Sequence, residues 1–388
     1  MFGESPGFSD GLNWALAGKG VIVMEKAFQN LTSSELQQKG ATISESLSGL
    51  PLHVRGNLGG ASAISKAQYS RLLRLVTTHL SSVSNIFVHD GAIGSSSKSD
   101  VKVRVISDSP SAVLTLSSIL WKTPSRAVSH DSCPLTVYAA TSISEAVGDA
   151  VGLGSQGITG YIAADVERSA LILCGKAFAD IDGTKKALAA LSGPVLYARG
   201  GLPLSARLLV SGDSVALFFA SENAIQSCNL ILLSGISTSL PCIILEIPSR
   251  NHYHVNGDMD DIYVCPLKSS GTIPSVSKLS PGQAAYHFLA SYQNGEFVPA
   301  YAKGPSCIDA LDLAKALLSK LKEYQIPTFL VNISTGEMSL TGKDLLDMVG
   351  SPNVAPLKLK GKQCGFLQGK YNGFLSCNFR EIPQEFSF

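Results

Sequence analysis

Short β-branched runs recur along the chain at Val21–Met24, Ile86–His89, Val101–Ile106, Thr136–Ala139, Ala170–Cys174, Val215–Phe219, Ile262–Val264 and Thr328–Val331. Each has the length and composition of a buried strand. Stretches of helical period lie between several of them, so the pattern predicts a mixed α/β protein. The clearest helix runs from Ile308 to Tyr324, where Ile308, Leu311, Ala314, Leu318 and Leu321 step by three or four. Its acids lie toward the start and its lysines toward the end, as the helix macrodipole favours. Pro327 then ends it, and Thr328–Val331 follows as a strand. Ser280, Pro281 and Gln283 spell a capping box at the start of another helix, and Thr32 with Glu35 spells a second box. Gly193–Pro194 and Gly200–Gly201 predict turns, and Ser95–Ser99 a surface loop. After Pro352 the chain turns Lys- and Gly-rich and loses its period.

A length of 388 residues favours two or three domains. The formal charge is +1, from 31 Lys plus Arg against 30 Asp plus Glu, and no basic cluster offers a nucleic-acid footprint. Charged residues make up only 16% of the chain while hydrophobic residues reach 45%. That balance supports a large core and leaves a weakly solvated surface, so a protein partner or an assembly is expected to cover part of it. Eight cysteines are scattered with no zinc-type spacing, which suits small buried hydrophobes in a reducing compartment. The N-terminus lacks the pattern of a secretory leader or a transit peptide. The uncharged stretch from Asn223 to Leu245 is broken by Gln226, Asn229 and Pro241, so it predicts two buried strands rather than a membrane insertion. An intracellular and cytoplasmic protein is the expectation, or an organellar one if the chain is a trimmed precursor.

Residue chemistry alone does not name a reaction. There is no G-x-x-x-x-G-K-[ST] loop and no G-x-S-x-G elbow, and Gly152-Leu-Gly154-Ser-Gln-Gly157 lacks the strand and helix that a dinucleotide site needs. The densest polar cluster is Asn251–Asp261, where His252 and His254 could share a strand face and ligate a divalent metal. Its Asn-Gly-Asp core is equally what an ordinary polar turn contains. Lys185 and Lys186 could bind an anion, although a solvated lysine pair at a helix start explains them as well. His53, His79, His89 and His287 sit singly among apolar neighbours and read as satisfied structural histidines.

Several segments, taken in order, resemble the ATP-dependent phosphoenolpyruvate carboxykinases. Phe28-Gln-Asn-Leu-Thr-Ser-Ser-Glu-Leu36 is similar to the family's N-L-S-x-x-E-L helix entry. Ile86-Phe-Val-His-Asp-Gly91 followed by Lys102-Val-Arg-Val-Ile106 resembles its V-F-V-x-D and V-R-V strand pair. Gly183-Thr-Lys-Lys186 resembles its G-E-M-K-K turn, and Gly212-Asp-Ser-Val-Ala-Leu-Phe-Phe219 its G-D-V-A-L-F-F strand. Pro274-Ser-Val-Ser-Lys-Leu279 with Gln283 and Tyr286-His-Phe-Leu-Ala-Ser-Tyr292 resembles P-V-S-(K/R)-L-x-x-x-Q-x-x-Y-H-F-x-S-G-Y, and Phe329-Leu-Val-Asn332 the start of L-V-N-T-G-W. The resemblance reaches from about residue 28 to 332. It implies a two-lobed carboxykinase-like α/β fold with a reduced, degenerate nucleotide-binding lobe: residues 1–206 as the N-terminal lobe and 207–388 as the reduced C-terminal domain.

The departures from the family matter more. After V-A-L-F-F the family continues G-L-S-G-T-G-K-T, whose amides cradle the nucleotide phosphates. Here Ala220-Ser-Glu-Asn-Ala-Ile-Gln-Ser227 follows instead. The three glycines become Ala220, Asn223 and Ile225, the lysine becomes Gln226, and only Ser227 keeps a hydroxyl where a nucleotide-site remnant would stand. A β-branched residue cannot take the backbone angles that glycine supplies in such a nest. The G-D-D-E-H-G-W segment, the E-N-T-R element and the histidine before V-A-L-F-F have no counterpart. The T-G-R-S-P-x-D loop is replaced by Leu50-Pro-Leu-His-Val-Arg55-Gly-Asn, with Arg55 as the nearest cation. Lys185, Lys186 and Arg55 are thus the substrate or anion candidates that the resemblance leaves, and no catalytic residue emerges.

Three readings follow. The first is a carboxykinase-like protein without catalysis and without cofactor, acting through a partner or as an assembly subunit. The second is an active enzyme converting oxaloacetate and ATP to phosphoenolpyruvate, ADP and CO₂ with Mg or Mn. The third is a small-anion sensor using Lys185, Lys186 and Arg55.

Overall fold

The computed structural model describes residues 10–56, 62–93, 100–122, 135–144, 146–153, 159–204, 207–211, 214–218, 243–245, 262–267, 276–293, 296–298, 308–332, 347, 354–357 and 362–388. The chain divides into two compact units, one of Met1–Gly200 with Gly304–Cys307, the other of Gly201–Lys303 with Ile308–Phe388.

In the first unit the strands are β1 (Lys26–Gln29), β2 (Leu52–Arg55), β3 (Ser62–Ala63), β4 (Asn85–Ile93), β5 (Val101–Ser107), β6 (Trp121–Lys122), β7 (Leu135–Ala140), β8 (Gly160–Asp165) and β9 (Ala170–Gly175). They form one sheet in the order β1-β4-β5-β7-β9-β8-β2-β3, with β6 also beside β4. Along that path five pairings are parallel, and only β4·β5 and β8·β9 are antiparallel. Strands β7 and β8 are buried at every position, as a sheet covered on both faces requires.

Helices α1 (Asp10–Ala17), α3 (Lys66–Leu80) and α5 (Val147–Val151) cover one face, where Leu16, Tyr69, Leu72, Val76, Ile86, Val88, Ile106, Tyr138, Tyr161 and Ile172 share a core. Helices α2 (Ser33–Gln38), α4 (Pro110–Ser117) and α6 (Ile181–Ala198) take the other face, and α6 meets it through Gly183, beside the Ile162 side chain. This is the mixed α/β architecture that the alternation of strand-like and helical runs predicts.

The Thr32 box forms, with Thr32 Oγ1 accepting from the Glu35 amide. Two local expectations need correction. Gly193–Pro194 is no turn: Pro194 lies inside α6, where its ring forfeits a backbone hydrogen bond and crowds the preceding turn at a cost of about 3 kcal/mol. Burial of Ala187, Leu188, Ala190, Leu191 and Leu196 on the same helix outweighs that penalty. Val21–Met24 joins no ladder either. It is a lead-in to β1, with the Ile22 amide bonded to the Ser81 hydroxyl and with Ile22 and Met24 exposed.

In the second unit β11 (Arg207–Ser211), β12 (Ser214–Phe218), β14 (Ile262–Leu267), β15 (Val276–Leu279) and β18 (Thr328–Asn332) make a sheet ordered β11-β12-β14-β18-β15. Two smaller pairs are β10 (Leu202–Leu204) with β13 (Ile243–Leu245), and β16 (Ser291–Gln293) with β17 (Glu296–Val298). Helices α7 (Pro281–Leu289) and α8 (Ala310–Tyr324) pack on each other, and α9 (Lys362–Asn378) adds Tyr371 and Leu375 to their core. The Ser280 box forms as its sequence predicts, and Asp309 caps α8. The Lys- and Gly-rich end of the chain, without apolar period in the sequence, thus contains the 17-residue helix α9. Among the described residues no helix is long and apolar enough to cross a membrane.

Candidate functional site

Arg55 ends β2, and strand register sets it opposite Asp165 at the end of β8. Its Nε donates to Asp165 Oδ2 at 2.8 Å and its Nη2 to Glu167 Oε2 at 2.6 Å. Asp165 is buried, and it also accepts from the Arg168 amide at 3.2 Å, with Arg168 Nε 3.5 Å away. The hydrogen bonds to Asp165 and then Glu167 raise the Arg55 pKa, while the guanidinium holds the Glu167 carboxyl below its usual range. A guanidinium already gripped by two carboxylates binds an anion only by giving one of them up; the exposed Glu167 releases at little cost, whereas giving up Asp165 leaves a buried carboxylate poorly compensated.

The same row of the sheet continues through Ala170 and Thr136 to Arg104 and Asp90, each in register with the next. Arg104 and Asp90 are both buried and bidentate, Nε to Oδ1 at 2.7 Å and Nη2 to Oδ2 at 3.0 Å. Gln29 Nε2 adds a bond to Asp90 Oδ2 at 2.6 Å, and Asn30 Oδ1 accepts from the Asp90 amide at 2.7 Å. Registered neighbours point to one face, so this polar row lies on the α3 side of the sheet. Between its two ion pairs sits Thr136, whose hydroxyl is buried with no hydrogen-bond partner.

Lys185 and Lys186 stand on α6, on the opposite face from Arg55. Lys186 is exposed and Lys185 half-buried. The buried carboxylate of Asp180 caps that helix, accepting from the Gly183 amide at 2.8 Å and from the Leu50 amide at 2.9 Å. The structure therefore does not gather Lys185, Lys186 and Arg55 into one anion site. Ser227, His252 and His254 lie outside the described residues, as does the whole Ala220–Ser227 segment. Among the described residues no group of three or more His, Cys, Asp and Glu side chains is placed to hold a metal ion.

One constellation has no counterpart in the sequence reading. The carboxyl ends of the parallel strands β5 and β7 bring Asp108 next to Thr141 and Ser142, and the last turn of α3 brings in His79. In an open α/β sheet, ligands bind beyond such ends. Asp108 accepts from the Thr141 and Ser142 amides at 2.8 and 3.0 Å and from their hydroxyls at 2.9 and 2.6 Å. His79 Nε2 lies 3.0 Å from both Asp108 Oδ2 and Ser142 Oγ. Burial pushes the Asp108 pKa up, but the bonds from Ser142 and Thr141 outweigh it, and the net shift is downward. The three residue types are those of a hydrolase triad, yet serine and carboxylate meet the same ring nitrogen. A proton relay needs them on opposite nitrogens, so this arrangement ties α3 to two strand ends rather than activating Ser142.

The single histidines divide. His79 is satisfied as expected, but His53 Nε2 and both ring nitrogens of His287 are buried without a partner, which corrects the reading of all four as satisfied. A cavity of about 10 Å³ lies at the start of β8, lined by Ser144, Thr159, Tyr161 and Cys174 among others. That volume holds one water at most. No protein-family model matches the chain, and no curated protein matches it.

Proposed function

We propose that the chain is a carboxykinase-like protein that has lost the reaction and acts by binding a protein partner or as an assembly subunit. The observation that carries this reading is the segment Ala220–Ser227, which puts Ala, Asn, Ile and Gln where the resemblance requires three glycines and a lysine. Phosphoryl transfer rests on positioning and on charge neutralisation, so losing the amide nest and its lysine together removes most of what catalysis needs. The engagement of Arg55 with Asp165 and Glu167 supports the same view, because it occupies the nearest cation in the segment that replaces the T-G-R-S-P-x-D loop. Trp14, Ile22, Met24, Ile43 and Trp121 are exposed on the first unit, and a partner surface would use such residues. No cofactor is part of this reading, and an intracellular, cytoplasmic setting goes with it.

Isothermal titration with MgATP and MnATP, with and without oxaloacetate, tests the proposal. No heat up to millimolar nucleotide, and no phosphoenolpyruvate formed, is the expected result. Saturable micromolar binding with turnover would overturn it in favour of an active ATP-dependent carboxykinase that uses Mg or Mn.

A further inference from the structure

His287 lies on the buried face of α7, fully enclosed, with neither ring nitrogen hydrogen-bonded. Its neighbours are aromatic. The ring stands edge-on to Tyr286 at 5.7 Å and to Tyr371 of α9 at 5.6 Å, and lies 5.4 Å from the Phe388 ring. Two of these rings come from regular helices. The third, Phe388, comes from residues 379–388, which form neither helix nor strand.

That segment is laid across the start of α7 by a small set of contacts. Phe386 and Phe388 are buried. Gln283 Nε2 donates to the Phe388 carbonyl at 3.2 Å, and Lys322 of α8 pairs with Glu385. The Glu385 carbonyl presses on Gly282 so closely that a Cβ there would collide with it, so the backbone of the segment rests directly on the helix. A segment held by side chains and a few hydrogen bonds opens more easily than the helices beneath it.

We propose that residues 379–388 form a pH-sensitive strap over α7, docked while His287 is neutral and released when His287 takes up a proton. An imidazolium in that cage would be a charge without water and without an acceptor. Lifting the strap is the smallest motion that gives it water. Among the described residues, the ionisable groups facing the ring are the phenols of Tyr286 on α7 and of Tyr371 on α9. Burial holds the Tyr286 phenol in its neutral form through the neutral range. On the strap the charged side chains are Arg380, Glu381 and Glu385, the last already paired with Lys322 of α8. Burial is the cause that holds the docked imidazole down to about 3, against 6.5 in water.

The direction follows by linkage: the open state binds the extra proton, so docking is complete above the ordinary histidine range and weakens as pH falls toward the docked value. One proton makes the open population rise about tenfold per pH unit across that window. Hydrogen exchange of the full chain, corrected for intrinsic rates, reads this out at about pH 7.5 and about pH 5. The strap peptide should open about 30-fold more often at the lower pH, while the amides of α7 and α8 stay protected. In His287→Leu the strap's protection should not change between the two conditions. Equal protection of the strap at both pH values in the natural chain, or loss of the strap together with α7 and α8, would overturn the proposal. PH dependence surviving in His287→Leu would assign the effect to the Glu385–Lys322 pair and overturn it too. If that variant does not fold, the imidazole of the natural chain decides by NMR: titration near 6.5 with the strap still docked removes the idea.

Discussion

Helices α3 and α7, one in each unit, start on the same pattern, Ser65-x-x-Gln68 and Ser280-x-x-Gln283. In both, the serine hydroxyl accepts from the glutamine amide at 3.2 Å and the glutamine side chain accepts from the serine amide at 3.0 Å. Both glutamines then spend their remaining donor on a distant carbonyl, Gln68 on Val151 at 3.1 Å and Gln283 on Phe388 at 3.2 Å. The buried polar rings of the two helices differ. Tyr69 passes its hydroxyl to the Ala170 carbonyl at 2.9 Å, where β9 begins. His287 finds only aromatic faces. Burial raises the Tyr69 pKa, so that side chain stays neutral throughout the physiological range, whereas His287 is the kind of group whose charge is contested there. Identical caps thus lead into one helix whose buried ring is hydrogen-bonded and neutral and one whose buried imidazole has no partner.

The largest break in this comparison is Tyr69→Ala. Tyr69 is among the largest fully buried side chains, and its loss leaves a cavity against α5 and β9 as well as an orphaned carbonyl. About 3–5 kcal/mol of stability should disappear in urea unfolding of the full chain. A loss below about 1 kcal/mol would mean that α3 is anchored by Leu72, Val76 and Leu80 alone.

A finer contrast pairs Tyr69→Phe with His287→Phe. The first removes only a hydroxyl and leaves the Ala170 carbonyl short of a donor, so about 1–2 kcal/mol should be lost. The second replaces an imidazole that has no partner to lose. Its effect near neutral pH should stay within about 1.5 kcal/mol of zero, and the variant should gain on the natural chain as the solution is acidified. Equal losses at the two positions would show that His287 does have a polar partner.

What could be read from the sequence was local. The strand-like runs other than Val21–Met24, the caps at Thr32 and Ser280 and the acid-to-base gradient of α8 depend on residues within a few positions of one another, and each appears where the pattern puts it. Pro194 misled because burial along α6 overrules a local preference. The polar groupings were illegible for a different reason. Arg55 meets Asp165 across 110 positions, and Asp108 meets His79 and Ser142 across 29 and 34, because strand order brings their ends together. No spacing rule carries that order. The unpartnered state of His287 was equally hidden, since its surroundings come from α9 and from Phe388.

The smallest expected effect bears on what the two caps share. Gln68→Ala and Gln283→Ala each remove one reciprocal cap bond and one long-range bond, so each should cost about 1 kcal/mol in urea unfolding. Equal totals should hide different locations. Exchange in Gln68→Ala should rise where α5 ends at Val151, on a segment still covered by its own core contacts. In Gln283→Ala it should rise across residues 379–388, with the acid sensitivity of that segment moved toward neutral pH because docking starts out weaker. If both variants instead fray only the first turn of their own helix, the distant carbonyls are incidental contacts. The two caps would then be alike in function as well as in sequence, and the strap would depend on Phe386, Phe388 and the Glu385–Lys322 pair alone.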